Sequence, residues 1–128
     1  MAGLEYEIGE ILKKKGFTLG AVESATGGLI SHLITSVSGS SDYFKGSVVS
    51  YSNEIKMKII SVKAATLKRY GAVSPQVAEE MAAGGKILLN VDICLADTGI
   101  AGPGGDTPGK PVGLFYLGLA HKDGVFSR

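Results

Sequence analysis

The sequence has little of what several protein classes require. It contains one cysteine, Cys94, so a disulfide framework is excluded and an intracellular protein is favoured. Its formal net charge is +1, which leaves no electrostatic footprint for nucleic acid or an anionic membrane. No apolar run approaches membrane-spanning length, and no N-terminal stretch looks like a signal peptide. We therefore expect a cytoplasmic protein without nucleic-acid or membrane partners.

The 128 residues are enough for one domain with its own core. Helix-like and strand-like patterns alternate along most of the chain, and a hairpin turn at Lys122-Asp123-Gly124 comes last. This order predicts an α/β fold, a three-layer α/β/α domain with a mixed central sheet. The predicted helices cover residues 3–15, 29–37, 53–60, 64–70 and 75–88. The predicted strands cover residues 17–22, 46–51, 91–96, 112–120 and 125–128.

Glycine is abundant, and its 19 residues cluster in a few places. Gly84-Gly85 lies inside a predicted helix, where each glycine costs about 1 kcal/mol relative to alanine. We therefore expect another backbone to approach the helix closely there. A second cluster, residues 99–105, follows a buried strand at the position where open α/β sheets bind ligands. A tight irregular connection would explain that second cluster equally well.

Several common kinds of site are absent. Residues 104–111 imitate a phosphate-binding P-loop, but Pro111 stands where the motif needs a hydroxyl, and a strand follows instead of a helix. His32, His121 and Cys94 are scattered without metal-ligand spacing, and neither histidine lies near a nucleophile-elbow pattern. We therefore expect neither a metal nor a cofactor.

Residues 39–56 collect hydroxyls, a tyrosine and a lysine around a short apolar strand. Ser41 in a turn and Lys56 one turn into a helix would form a reactive pair if they met across that strand. A lysine kept neutral by burial or by its neighbours can activate a serine. The same pattern also describes a capped turn and a solvent-facing helix lysine, which is the commoner arrangement.

Residues 23–28 link a strand to a helix through a small hydroxylated turn. Backbone N–H groups at such a helix start can collect an anion. Ser24 or Thr26 could instead simply cap the helix.

Several segments together resemble the C-terminal domain of the CinA (competence/damage-inducible protein) family, which also occurs alone as nicotinamide-nucleotide amidase. They are spread in one order over nearly the whole chain, so the match is more specific than any single motif. The matching segments are residues 22–28 (VESATGG), 39–41 with Phe44, 48–56 (VVSYSNEIK), 71–78 (GAVSPQVA) with Met81, 98–105 and 110–113.

The resemblance implies a metal-independent amidohydrolase that converts the carboxamide of nicotinamide mononucleotide to the carboxylate and releases ammonia. It implies Ser41 as nucleophile and Lys56 as general base, with Ser24 and Tyr51 as supporting hydroxyls. The glycine-rich loop would line the substrate site. The helix start at residues 26–28 is a candidate for the substrate's 5′-phosphate, because its backbone N–H groups can bind an anion. The expected substrate-binding residues are Thr26, Gly27, Gly28, Thr98, Gly99 and Gly102.

The sequence departs from the family pattern in two places. The family usually has cysteine at the position of Ala25, so that position is not essential to the chemistry. The family also continues past residue 128 with the rest of a strand, a Gly-Asp-Arg segment and a final helix. Residues 1–128 are thus expected to form one such domain without that last part and to associate as a homo-oligomer. The alternative is a nucleotide-binding or assembly module of the same fold with little or no turnover.

Overall fold

The computed structural model describes residues 3–128 as one five-stranded sheet with helices on both faces. The strands are β1 Leu19–Glu23, β2 Phe44–Val49, β3 Ile93–Gly99, β4 Phe115–His121 and β5 Gly124–Ser127. The α-helices are α1 Leu4–Lys15, α2 Leu29–Thr35, α3 Asn53–Lys58, α4 Ala64–Tyr70 and α5 Pro75–Leu89. A short 3-10 helix, Ser40–Asp42, leads into β2.

The sheet has the strand order β2-β1-β3-β4-β5. β1 runs parallel to both of its neighbours, β2 and β3, whereas β4 and β5 are antiparallel additions. The three parallel strands therefore end at the same edge of the sheet, which we call the carboxyl edge. Residues that follow β1, β2 and β3 meet there, and this mixed sheet confirms the predicted α/β fold.

The core lies in two parts, one on each face of the sheet. On one face, α5 packs its buried Val77, Met81 and Ala82 against the strands. On the other face, Leu12 of α1 and Ile34 of α2 form a second buried cluster. These helices on both faces give the three layers that the alternating pattern predicts.

Helix α5 begins at a cap, where Ser74 accepts from the backbone N–H of Val77 at 3.2 Å.

The same helix approaches its neighbours closely at two glycines. A Cβ atom on Gly84 would overlap the carbonyl oxygen of Ile60, and one on Gly85 would overlap the side chain of Val22. The predicted close backbone approach is therefore confirmed at Gly84, where the partner is the chain just after α3.

All five strands are shifted by one to three residues from their predicted bounds, and two of the shifts have a visible cause. β4 begins at Phe115 because the preceding residues form a turn, closed by the N–H of Leu114 and the carbonyl of Pro111 at 3.1 Å. β2 ends at Val49 because Ser50 and Tyr51 turn their carbonyl groups toward a lysine side chain. Within residues 3–128, no helix is long and apolar enough to cross a membrane.

Candidate active site

A cavity of about 380 Å³ opens at the carboxyl edge of the sheet. Its wall combines the residue after β1, the start of α3, the end of β3 and the glycine-rich loop that follows β3. The lining residues are Ser24, Ala25, Tyr51, Asn53, Lys56, Ala72, Val73, Thr98, Gly99, Ile100, Ala101, Gly102, Gly104 and Gly105. The cavity thus lies where open α/β sheets bind ligands.

Ser24 follows β1 directly and forms part of the cavity wall. Only 7% of its surface is exposed. Its backbone N–H lies 3.4 Å from both carboxyl oxygens of Asp97, and its hydroxyl oxygen lies 2.9 Å from the Nζ atom of Lys56. The backbone N–H of Ser24 therefore faces the Asp97 carboxyl group, and its hydroxyl contacts the Lys56 amine.

Lys56 is a buried lysine, with 1% of its surface exposed. Its helix α3 starts at Ser52, whose side chain accepts from the N–H of Ile55 at 3.2 Å. Nζ lies 2.8 Å from the carbonyl oxygen of Ser50 and 2.8 Å from that of Tyr51. Burial lowers the pKa of Lys56, and a negative charge on nearby Asp97, when that group is ionised, acts in the opposite direction.

The three contacts of Lys56 fit both of its protonation states, because an ammonium can donate to the two carbonyls and to the Ser24 hydroxyl at once, and a neutral amine can make the same contacts with its lone pair toward the serine. Carbonyl oxygens only accept, so the Ser50 and Tyr51 carbonyls must each take an N–H from Nζ. A neutral amine has two N–H groups, and both are then engaged. Its lone pair is left to face the hydroxyl of Ser24, which is the arrangement that a general base needs.

Within one chain, the structure does not bring Ser41 to Lys56, and the serine beside Lys56 Nζ is Ser24. Ser41 lies in the 3-10 helix before β2, whereas Lys56 follows β2. The six residues of β2 separate the two ends by roughly 16 Å at about 3.3 Å per residue. Ser41 is therefore an exposed residue at the opposite edge of the sheet, and Ser24 takes its place beside the lysine.

The start of α2, where the phosphate site is expected, already holds a carboxylate. The side chain of Glu23 accepts from the N–H groups of Gly28 at 3.2 Å, Ile30 at 2.9 Å and Ser31 at 3.0 Å. The residues expected to bind phosphate, Thr26, Gly27 and Gly28, do not line the cavity. An anionic substrate group would have to displace a buried side chain to reach these donors.

Glu23 is fully buried but remains ionised. Burial alone raises its pKa, but hydrogen bonds from Ser31, Thr26 and the start of α2 outweigh burial, so that its pKa is lowered overall. The sequence patterns do not single out Glu23. The usable signal is an acidic residue at the end of an apolar strand, just before a Gly-Gly helix start.

Asp97 is the second buried carboxyl group near the cavity, and the sequence patterns do not single it out either. It lies in β3, is 0% exposed, and accepts from the N–H of Thr26 at 3.2 Å as well as facing the N–H of Ser24. The sequence feature that could have identified Asp97 is a charged residue between the apolar run 91–96 and the glycine-rich loop. Such residues are almost never fully buried without partners.

The remaining expected site residues fall on the cavity wall with different tasks. Tyr51 contributes its carbonyl to Lys56, while its side chain is 75% exposed. The hydroxyl of Thr98 donates to the carbonyl of Ala72 at 2.7 Å, which ties the end of β3 to the segment before α5. Gly99 and Gly102 line the cavity with main chain only.

Metal-binding side chains are not gathered anywhere in residues 3–128: no three His, Cys, Asp or Glu groups stand close enough to hold an ion. Cys94 is a buried core residue on β3, and burial raises the pKa of its thiol to about 12. A thiol with that pKa is inert at neutral pH.

A ligand cavity at the carboxyl ends of parallel strands, with a buried serine and lysine in its wall, defines the class as an α/β domain with a candidate hydroxyl–amine active site. The family model described as the CinA C-terminal domain matches residues 1–128. The chain belongs to the CinA C-terminal domain family.

Named relatives agree with this assignment. The chain is 54% identical over 118 residues to a putative competence-damage inducible protein of Halothermothrix orenii, covering 92% of this chain and 29% of that protein. It is 45% identical over 134 residues to a CinA-like protein of Rippkaea orientalis, covering 97% and 32%. The chain thus spans about a third or less of these curated relatives.

Solved structures share the fold. The competence/damage inducible protein CihA of Agrobacterium tumefaciens superposes with a TM-score of 0.94 at 37% identity, covering 98% of this chain and 76% of that one. A CinA superfamily protein of Escherichia coli gives 0.94 at 30% identity, covering 98% and 73%.

Proposed function

We propose that this domain is an amidohydrolase that converts nicotinamide mononucleotide to nicotinic acid mononucleotide and ammonia, with Ser24 as nucleophile and Lys56 as general base. The observation that carries the proposal is the 2.9 Å contact between the buried Ser24 hydroxyl and Lys56 Nζ in the cavity wall. The resemblance to nicotinamide-nucleotide amidase supports the substrate, because its matching segments 22–28 and 48–56 contain both residues.

The first step transfers a proton and forms a bond. Neutral Lys56 removes the proton of the Ser24 hydroxyl while its oxygen attacks the carboxamide carbon. The positively charged pyridine ring of the substrate withdraws electrons from the amide and favours this attack. The tetrahedral intermediate then collapses as the Lys56 ammonium returns its proton to the departing nitrogen, which leaves as ammonia.

The second step regenerates the serine. Lys56, neutral again, takes a proton from a water molecule that attacks the ester on Ser24. The acid product leaves when that proton returns to the serine oxygen. Lysine thus acts as base and acid in turn, and the cycle consumes only water.

The glycine-rich loop supplies the candidate surface for the oxyanion and the rest of the nucleotide. Glycines at positions 99, 102, 104 and 105 lie in the cavity wall without side chains, so a ligand can approach backbone N–H groups there. The cavity volume of about 380 Å³ lies within the usual range for small-molecule sites. This loop therefore replaces the start of α2 as the candidate nucleotide-binding surface.

The proposal is tested by incubating the purified protein with nicotinamide mononucleotide and measuring ammonia together with nicotinic acid mononucleotide. Equal amounts of both products are expected. Binding of the nucleotide without product would overturn the proposed reaction and favour the alternative, a nucleotide-binding module. Turnover of another carboxamide in a substrate panel, with none of the nucleotide, would overturn the substrate alone.

A further inference from the structure

Thr26 lies between two fully buried carboxyl groups. Its Oγ1 atom is 2.7 Å from Oε1 of Glu23 and 2.5 Å from Oδ2 of Asp97. A hydroxyl carries one proton, and an ionised carboxylate can only accept. Thr26 cannot satisfy two ionised carboxylates with one proton, so one of the two carboxyl groups must carry a proton of its own.

Hydrogen-bond donors around Glu23 keep that group ionised. It receives three backbone N–H groups, and the hydroxyl of Ser31 lies 2.5 Å from its Oε2. Ser31 Oγ is in turn 2.6 Å from Oγ of Ser47, so Ser47 donates to Ser31 and Ser31 donates to Glu23. Several donors that converge on one carboxylate favour its charged form.

Asp97 is the less well satisfied of the two carboxyl groups. Its backbone donors are the N–H of Thr26 at 3.2 Å and the N–H of Ser24 at 3.4 Å. If Asp97 is protonated, each O–H group has one acceptor: Asp97 donates to Thr26, and Thr26 donates to Glu23. The proton therefore belongs on Asp97.

We propose that Asp97 stores the proton that Lys56 must lack to act as a base, and that Thr26 keeps this proton on Asp97. The exchange moves one proton from the Nζ ammonium of Lys56 to Oδ2 of Asp97, so the total charge of the pair is unchanged. Asp97 and Thr26 are then positioning residues of the site. The role of Lys56 as a base rests on the proposed amidase function, whereas the protonation of Asp97 does not.

The surroundings of Asp97 contain few other ionisable groups. Glu23 faces it from β1, and Lys56 acts on it from α3. On the neighbouring strand β4, the residue opposite Asp97 is the apolar Leu117. The start of α2 contributes hydroxyls and N–H groups only. The proton count of this cluster is thus set by three side chains.

Infrared spectroscopy tests the stored proton without any substrate. The protein is labelled with ¹³C at the aspartate side-chain carboxyl, and its spectrum is recorded at neutral pH in D₂O. We expect the carbonyl band of a protonated carboxyl group that shifts with the label and disappears in Asp97→Asn. A spectrum of the labelled wild-type protein without such a band overturns the proposal, and so does a band that persists in Asp97→Asn.

The pH dependence of turnover tests the link to Lys56. In Thr26→Val the proton returns to Lys56, so the acidic limb of the rate profile should move to higher pH by about one unit, a tenfold loss on that limb. Thr26→Ser keeps the hydroxyl and is the matched control, whose limb should stay in place. In Asp97→Asn the amide imitates a protonated carboxyl, so the limb should also stay in place, whatever the rate.

Each outcome of the pH experiment decides the proposal. A limb that moves to lower pH in Asp97→Asn would mean that Asp97 is normally ionised, and would overturn it. An unmoved limb in Thr26→Val would show that Thr26 is only structural. If Asp97→Asn does not fold, the labelled wild-type spectrum and the Thr26 pair still decide. Absence of turnover in the wild-type protein would count against the proposed function and leave the infrared test of Asp97 intact.

Discussion

Lys56 places its side-chain nitrogen 2.9 Å from the hydroxyl of Ser24, although the two residues are 32 positions apart in the chain. The contact exists because β1 and β2 are parallel neighbours. Ser24 follows β1, and the segment that leads into α3 follows β2, so both arrive at the same edge of the sheet. The pairing is thus a property of the sheet and not of a local motif.

Replacing Ser24 with alanine should abolish turnover, because the nucleophile is lost while the main-chain contacts to Asp97 can remain. We expect a loss of at least about 10³-fold in kcat with nicotinamide mononucleotide. The matched control is Ser41→Ala, an exposed serine at the opposite edge, which should keep near-wild-type rates. A large loss in Ser41→Ala, with near-wild-type activity in Ser24→Ala, would reverse the assignment. Circular dichroism and thermal unfolding of both variants report whether the fold is intact.

Lys56→Arg should abolish turnover, and Lys56→Ala should abolish it equally. Arginine keeps the positive charge but stays protonated at every accessible pH, so it cannot take the proton of Ser24.

Wild-type turnover should rise with pH through a lysine pKa that lies below the usual range, because burial lowers it. Lys58→Ala, on the exposed side of the same helix, is the control and should leave the profile unchanged. A rate profile that rises only at the usual lysine pKa would contradict the role of burial.

The element order of this fold follows from sequence periodicity, since amphipathic and apolar runs of the right length succeed one another from α1 to β5. The close approach at Gly84 also follows, because a glycine pair inside a helix is costly unless another group needs the space. Both are local signals that a single segment carries.

The choice between Ser24 and Ser41 depends on a relationship between segments. Within one chain, β2 separates the residue before it from the helix after it. The order and direction of β1 and β2 bring Ser24 to Lys56 instead. The contacts of Asp97 with residues 24 and 26 join positions more than 70 apart in the chain. No pattern within one segment contains that information.

Replacing Glu23 with glutamine should destabilise the protein although the shape of the side chain is kept. One of its acceptor oxygens becomes an NH₂ group that faces the N–H groups at the start of α2, so buried donors lose their partner. We expect a loss of about 2–3 kcal/mol in the free energy of unfolding at neutral pH, measured by urea denaturation. Glu54→Gln, an exposed acidic residue in the first turn of α3, should change it by less than about 0.5 kcal/mol.

The same variant should reveal the pH dependence of the Glu23 contribution. The pKa of Glu23 is lower in the folded protein than the usual glutamate value of 4.5, so the unfolded chain binds the proton first as pH falls. The stabilisation is therefore complete above the unfolded pKa and is lost as pH falls through the folded pKa. The unfolding free energies of wild type and Glu23→Gln should converge in acid. A difference that stays constant across that range would show that the charge of Glu23 contributes nothing.

Replacing Gly84 with alanine should destabilise the protein, against the usual preference of helices for alanine. Propensity alone would favour the change by about 1 kcal/mol. The new Cβ would, however, overlap the main-chain carbonyl of Ile60, which is backbone and cannot rotate away as a side chain can. We expect a net loss of about 1–3 kcal/mol, as in overpacked cores, measured by urea denaturation. The control is Ala83→Gly, one position earlier in α5, which removes a half-buried methyl group and carries the propensity cost of about 1 kcal/mol without any backbone overlap. An alanine at position 84 that stabilises the protein would show that the chain after α3 can move away from α5 at little cost.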